Sequence, residues 1–327
     1  MSALLQVENL RVEIAARKRR LVAIDDVSFE IAAGEVLGVV GESGAGKSVT
    51  GTAVLGLLER PAMHAGGRIL FDGRRIDTLG EEEMRALRGR EIAAVFQDPL
   101  TSLDPLMTIG DQLAETMLTH LPMTRAAAQA RAGELLAEVG IPAPRERLSA
   151  YPHELSGGMR QRVVLALAFC CAPRLIIADE PTTALDVSIQ AQILDLLRRM
   201  CRERGTAVML VTHDMGVIAE VADRVAVMYA GRVVEIGPTR ALIEDAAHPY
   251  TRGLMASIPS MRRREAELTQ IPGAMPRPDA PVSGCAFHPR CAVAFERCAI
   301  ERPNAFDVGP ARVACWRADP ALQGATA

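Results

Sequence analysis

The sequence predicts an α/β protein built on a parallel sheet, with a phosphate-binding loop after one inner strand and a small cysteine-rich region towards its C-terminal end. Three observations predict this. Short apolar runs alternate with helical stretches; the segment Gly41-Glu-Ser-Gly-Ala-Gly-Lys-Ser48 follows one such run; and Cys285, Cys291, Cys298 and Cys315, with eight of the 20 prolines, crowd into the tail.

Residues 4–40 read as β-rich. Segments 4–7, 10–14 and 26–31 alternate or carry β-branched side chains, and 36–40 is a continuous apolar run of the kind buried in parallel sheets. A helical stretch covers 47–58. Short strands follow within 67–96, ending in the run 92–96, and residues 99–172 turn helical, with 125–139 the clearest amphipathic segment. Strand-like runs return at 175–178, 207–212 and 224–229, spaced by helical segments, which implies a parallel sheet with helices on its faces. After about residue 257 prolines accumulate and apolar periodicity fades, so that region needs a staple beyond hydrophobic burial. The expected domains are 1–257, with a helical subdomain at about 99–172, and 258–327.

Composition narrows the function. A net charge of −3 argues against a polyanion-binding surface. The longest apolar run, 163–172, is about half the ~20 residues a membrane span needs. No basic segment followed by an apolar one opens the chain, so a cytosolic protein is expected, held at any membrane by a partner. Of 37 basic residues only Lys18 and Lys47 are lysines. Lys47 therefore reads as a choice of a compact ammonium over a planar guanidinium. Cys170, Cys171 and Cys201 lie in apolar or helical stretches and suit core packing. The C-x5-C-x6-C-x16-C cluster of the tail, in a cytosolic chain, points to a metal or cluster site rather than disulfides.

Residues 41–48 satisfy G-x-x-x-x-G-K-[ST]. Glycines let successive backbone N–H groups converge on phosphate oxygens, and the following helix offers its positive end to the same anion. Lys47 can reach the β- and γ-phosphates and the Ser48 hydroxyl can ligate Mg²⁺. Gly41, Glu42, Ser43, Gly44, Ala45, Gly46, Lys47, Ser48 and Val49 are thus the candidate nucleotide contacts. Downstream, Arg174-Leu-Ile-Ile-Ala-Asp-Glu-Pro181 ends an apolar strand on two carboxylates. Strand alternation is expected to aim them apart, Asp179 to the Mg²⁺ shell and Glu180 to the attacking water.

Leu155-Ser-Gly-Gly-Met-Arg-Gln-Arg162 resembles the signature of ABC ATPases, with Met159 where glutamine is commonest. The resemblance covers roughly residues 4–250. It implies an ABC-type phosphate-loop NTPase fold with a β-rich N-terminal subdomain and a helical subdomain, and ATP as substrate. It implies too that Ser156, Gly157 and Gly158 grip the γ-phosphate of a nucleotide bound to a second subunit in a head-to-tail dimer. Gln97 would touch Mg²⁺ and water, Asp186 of Thr183-Ala-Leu-Asp186 would cross the dimer interface, and His213 would contact the γ-phosphate. One landmark is missing. The first 28 residues hold no Phe, Tyr, Trp or His to stack on adenine, which leaves Ile14, Leu21 or an arginine of the 17–20 stretch.

The segments 96–105 (Phe-Gln-Asp-Pro-Leu-Thr-Ser-Leu-Asp-Pro), 248–251 (His-Pro-Tyr-Thr) and 284–291 (Gly-Cys-Ala-Phe-His-Pro-Arg-Cys) are similar to the oligopeptide and dipeptide import subfamily. So is the continuation through Cys298 to Cys315-Trp316. Subunits serving nickel, glutathione and other small solutes share the likeness. It implies an ATPase subunit that energises import at the cytoplasmic face of the inner or plasma membrane. Its partners would be two transmembrane permease subunits, a second ATP-binding subunit (a paralogue, as relatives usually have, or a second copy of this chain), and an extracytoplasmic solute-binding protein. The four-cysteine spacing is more open than usual zinc pairs, and with the resemblance it favours a 4Fe–4S cluster over Zn²⁺. A soluble ABC ATPase of repair or translation is the rival; such proteins carry two cassettes or a long coiled coil, whereas only about 110 residues separate Gly46 from Ser156. The tail lacks a basic–aromatic face, so no nucleic acid is expected.

Overall fold

The computed structural model describes residues 3–17, 19–183, 185–257 and 270–323; Lys18, Ala184 and residues 258–269 of the expected C-terminal domain lie outside them. In chain order the strands are β1 (Ala3–Ala16), β2 (Arg19–Ala32), β3 (Val36–Val40), β4 (Ala62–Phe71), β5 (Arg74–Arg75), β6 (Ile92–Val95), β7 (Leu175–Asp179), β8 (Ala207–Val211), β9 (Arg224–Tyr229), β10 (Arg232–Pro238), β11 (Phe306–Val308) and β12 (Ala311–Val313). The helices are α1 (Lys47–Val54), α2 (Glu81–Leu87), α3 (Pro99–Ser102), α4 (Ile109–His120), α5 (Arg125–Glu138), α6 (Pro144–Arg147), α7 (Gly157–Phe169), α8 (Val187–Arg204), α9 (Met215–Val221), α10 (Thr239–Asp245), α11 (Pro249–Ala256), α12 (Glu296–Ile300) and α13 (Pro320–Gln323). The chain divides into two compact units. One takes the chain up to Leu4, Ile31–Glu35 and Thr78–Leu210; the other takes Leu5–Glu30, Val36–Asp77 and everything from Val211.

The first unit carries strands in the order β8-β7-β6 and the helices α2 to α8. β6 and β7 run parallel, from Ile92 opposite Leu175 to Val95 opposite Ala178, and the apolar run of β7 is buried. Its helices start where the sequence offers a cap. The hydroxyls of Thr108 and Thr124 accept from the backbone N–H of Asp111 and Ala127 at 3.2 and 3.3 Å. The amphipathic reading of 125–139 is borne out: Ala128, Ala132, Leu135 and Leu136 form the buried stripe of α5.

The second unit carries a four-stranded sheet, β2-β1-β4-β5, and the strands β11-β12-β10-β9-β3 side by side. β3 and β9 are parallel; β9, β10, β12 and β11 pair antiparallel. Several predicted boundaries shift here. Segments 4–7 and 10–14 are one strand, β1, whose register slips between Glu8 and Arg11 around Asn9 at φ 50°. Segment 26–31 belongs to the longer β2. The helix predicted over 47–58 stops at Val54, because Gly56 at φ 64° turns the chain out of it.

The proline-rich tail finds its staple in the fold of this unit. β12 adds to the edge of β10, pairing Glu235 with Val313 and Ile236 with Arg312. Phe287 is buried with its ring centroid 5.3 Å from that of Tyr229 and 5.4 Å from that of Tyr250. β10, β11 and β12 escape a reading of periodicity because two of them are three residues long and β10 does not alternate between buried and exposed.

Candidate functional site

In the second unit, β3 runs into the glycine-rich loop and α1 follows it. Gly41 takes φ 152° and a Cβ there would run into the Met228 carbonyl; Gly46 takes φ 101° and a Cβ there would meet Ile24. The turn between β9 and β10, Ala230-Gly231, has both residues at positive φ, and the Gly231 N–H donates to the Ala45 carbonyl at 2.9 Å. Gly46 caps α1 with no side chain. The Lys47 side chain is buried, its Nζ donating to the Gly41 and Glu42 carbonyls at 2.8 and 3.1 Å. The ammonium is thus curled back over the loop, while Ser43, Gly44 and Ser48 are exposed.

Two interactions with this loop have no local signal in the sequence. The Glu42 N–H donates to Tyr250 Oη at 2.9 Å, and Arg290 Nη1 donates to both Glu42 carboxylate oxygens at 3.0 Å. Burial pushes the phenol of Tyr250 well above its ordinary range, so it stays a neutral acceptor. His213 also belongs to this unit. It is exposed just after β8, next to Asp214, whose side chain caps α9 by accepting from the Gly216 N–H at 2.7 Å. Ile14 and Leu21 are half-buried on β1 and β2, while Arg19 and Arg20 face Asp279 and Glu13 at 3.8 and 3.4 Å. None of these side chains is an aromatic platform. GTP should accordingly be hydrolysed within about tenfold of the ATP rate, since stacking of this kind is worth only ~0.5–1.5 kcal/mol. Side-by-side turnover measurements check it, and a hundredfold preference for ATP contradicts it.

The first unit gathers a second set. β7 ends at Asp179, and Glu180 already leaves the strand at φ 47°. The alternation expected to separate the two carboxylates therefore does not apply. Glu180 instead sits in a left-handed turn, at a backbone cost of order 1 kcal/mol of the kind that clusters at functional sites. Gln97 Nε2 donates to Glu180 Oε2 at 3.2 Å and the Thr183 hydroxyl donates to the same oxygen at 2.8 Å. Thr183 is a partner that the pattern of the strand end does not reveal. Ser156 caps α7, its Oγ accepting from the Met159 N–H at 3.3 Å, and a Cβ on Gly158 would press on Ile189 of α8. Ser156 and Gly157 are exposed, as is Asp186 at the start of α8. The oxygens of Gln97 and Asp179 are the donor chemistry that Mg²⁺ takes.

Cys285, Cys291, Cys298 and Cys315 line one small cavity of the second unit, together with His248 and Trp316. Backbone bonds gather them: the Cys285 N–H donates to the Cys298 carbonyl at 2.8 Å, and the Cys291 N–H to the His288 carbonyl at 3.2 Å. Burial pushes the Cys285 thiol up to about 11 and raises those of Cys291 and Cys315, so these three bare thiols stay protonated at neutral pH. Burial drives His248 down to about 3, leaving a neutral ring whose Nδ1 accepts from the Tyr250 N–H at 3.0 Å. Thiol donors around one cavity are the right chemistry for iron–sulfur or zinc. Among the described residues no group of three or more His, Cys, Asp or Glu side chains already stands at metal-holding geometry. Cys170, Cys171 and Cys201 are buried in the first unit.

Comparison with known proteins adds to this geometry. Residues 24–183 match the ABC transporter family, and residues 234–298 match the C-terminal region of oligopeptide/dipeptide transporters. The chain is 49% identical over 292 residues to the dipeptide transport ATP-binding protein DppD of Bacillus subtilis, covering 89% of this chain and 87% of that one. It is 46% identical over 317 residues to the oligopeptide transport ATP-binding protein OppD of Salmonella typhimurium, covering 97% and 94%. A solved dimeric ATP-binding cassette in a post-hydrolysis state, bound to ADP and Pi, superposes with a TM-score of 0.65 at 27% identity, over 72% of this chain and 99% of that one.

Proposed function

This chain belongs to the ABC transporter ATP-binding proteins of the oligopeptide/dipeptide family, and from that membership we propose that it hydrolyses ATP to drive peptide import. The observation that carries the reading is the reach of the similarity. It extends past the cassette through residues 234–298, the region that matches oligopeptide and dipeptide transporters.

The site residues divide the work as follows. The loop from Gly41 to Val49 holds the phosphates, and Lys47 swings its ammonium from the Gly41 and Glu42 carbonyls onto phosphate oxygens. Ser48, Asp179 and Gln97 hold Mg²⁺, which when bound offsets charge on the phosphoryl oxygens. Glu180 orients the attacking water and takes its proton, its carboxylate steadied by Gln97 and Thr183. His213 donates to the γ-phosphate. Ser156, Gly157 and Gly158 close on the nucleotide of a second ATP-binding subunit, a paralogue packed head to tail, with Asp186 at the shared interface. The exposure of Ser156, Gly157 and Asp186 is consistent with a surface completed by another chain.

No helix among the described residues is long and apolar enough to cross a membrane. Attachment at the cytoplasmic face therefore falls to two permease subunits. Leu106 is 85% exposed and Phe96 46%, on either side of Gln97 and α3, which suits an apolar docking patch there. Residues 1–257 form the cassette and 258–327 the extension of the family. Cys285, Cys291, Cys298 and Cys315 hold a 4Fe–4S cluster, or Zn²⁺ in its place, that cross-links the tail; no step of hydrolysis runs through it. Anaerobically purified protein should be brown with absorbance near 400 nm, and Cys291→Ser should lose both colour and thermal stability. A colourless, zinc-stoichiometric sample removes the cluster.

The function is tested by reconstituting the chain with its permeases and second ATP-binding subunit in liposomes. A peptide-loaded binding protein on the outside should stimulate ATP hydrolysis. Stimulation by a nickel- or glutathione-loaded binding protein, and none by peptide, would overturn the peptide reading.

A further inference from the structure

The loop that grips phosphate carries an acid at its second position, and that is an electrostatic problem. Glu42 adds a negative charge to a segment whose task is to attract a polyanion. The second unit answers it from the far end of the chain. Arg290 is buried, with 6% of its side chain exposed, and its Nη1 lies 3.0 Å from each oxygen of Glu42. Every nitrogen of the guanidinium is engaged. Nη1 also donates to Tyr229 Oη at 3.3 Å, Nη2 to the Ile271 carbonyl at 3.3 Å and Nε to the Pro272 carbonyl at 2.8 Å. Tyr250 Oη holds the Glu42 N–H at the same time, so the residue is pinned by side chain and backbone alike.

We infer that Arg290, delivered by the cysteine-rich extension, is a positioning residue of the nucleotide site: it neutralises Glu42 and fixes its carboxylate away from the anion that the loop receives. The turn His288–Arg290 that presents it lies between Cys285 and Cys291, and its backbone is tied to both. The extension therefore serves the nucleotide site as well as the stability of its own segment. A planar, buried, five-donor cation is what the position requires; a lysine could not satisfy the carboxylate, the phenol and two carbonyls together. The inference rests on the reading of residues 41–48 as the phosphate grip.

The test is calorimetric titration of the full-length protein with a non-hydrolysable ATP analogue, joined to steady-state hydrolysis. Arg290→Gln should bind about 10- to 100-fold more weakly, because the Glu42 carboxylate, with 30% of its side chain exposed, then keeps no counter-ion beside the incoming phosphates. KM for ATP should rise by a similar factor while kcat changes less than about threefold. Glu42→Gln removes the carboxylate and keeps the loop's backbone N–H groups, so it should bind more tightly than the native chain. The double variant Arg290→Gln/Glu42→Gln should recover to within about threefold of Glu42→Gln, a rescue that a merely structural arginine would not show.

Native-like binding by Arg290→Gln overturns the inference, as does a double variant no better than Arg290→Gln. If Arg290→Gln does not fold, Glu42→Gln still decides, since binding weakened tenfold or more by removal of the acid contradicts the charge argument. Lys47→Ala separates the two failures. If it binds nucleotide normally, the phosphate-grip reading fails; if it loses binding while Arg290→Gln does not, only the role of Arg290 fails.

Discussion

Glu180→Gln is expected to bind MgATP with native affinity and to hydrolyse it at least ~100-fold more slowly, the range over which a positioned general base contributes. The amide preserves shape, and its oxygen can still accept from Gln97 and Thr183, the two donors that hold the carboxylate at 3.2 and 2.8 Å. What it cannot do is take a proton from water. Binding should survive because the loop after β3, which we propose holds the phosphates, is untouched. Mixed with the second ATP-binding subunit, the variant should therefore accumulate a nucleotide-bound dimer detectable by size-exclusion chromatography with ATP present. Single-turnover hydrolysis measures the chemical step directly, and turnover within a factor of three of the native rate removes Glu180 from this role. Thr183→Ala should sit between the two, because it frees the carboxylate without neutralising it.

Lys47→Ala should lose both binding and turnover. The ammonium is buried and already held by the Gly41 and Glu42 carbonyls, so it is pre-placed over the loop proposed to receive the phosphates. Charge-assisted hydrogen bonds of this kind contribute about 1.5–3 kcal/mol each, and removing the ammonium's bonds to two phosphate groups implies a drop of ~100-fold or more in affinity. Nucleotide titration reads that loss. A thermal melt of the nucleotide-free protein serves as the control, since the same substitution removes two hydrogen bonds inside the loop. A collapse in stability comparable to the loss of affinity would assign the effect to folding. Affinity falling with a near-native melt assigns it to the phosphate interaction.

Much of the fold and most of the candidate site were legible in the residues because their information is local. The continuous apolar run of β3 followed by Gly-x-x-x-x-Gly-Lys-Ser encodes strand, loop and helix start within thirteen residues. The stripe of α5 and the capping Ser156 are equally local, since helix period and cap chemistry act over a few positions. The boundaries that moved did so for reasons a period cannot carry. Asn9 bulges β1 because its register is set by the partner strand β4. Gly56 ends α1 by its backbone angle, not its hydrophobicity.

By itself the sequence determined the α/β class, the phosphate loop, the paired acids, the signature and the kinship with peptide importers, because each is a contiguous pattern with a physical meaning at short range. Only the tertiary structure decided that Glu180 departs from β7 in a left-handed turn onto Gln97 and Thr183. It also decided that the tail completes the β10 edge and that Arg290 and Tyr250 close on Glu42 from 248 and 208 residues away. Pairings at such separations come from how strands and turns bring distant segments together, and no local spacing in the chain records which arginine will face which acid.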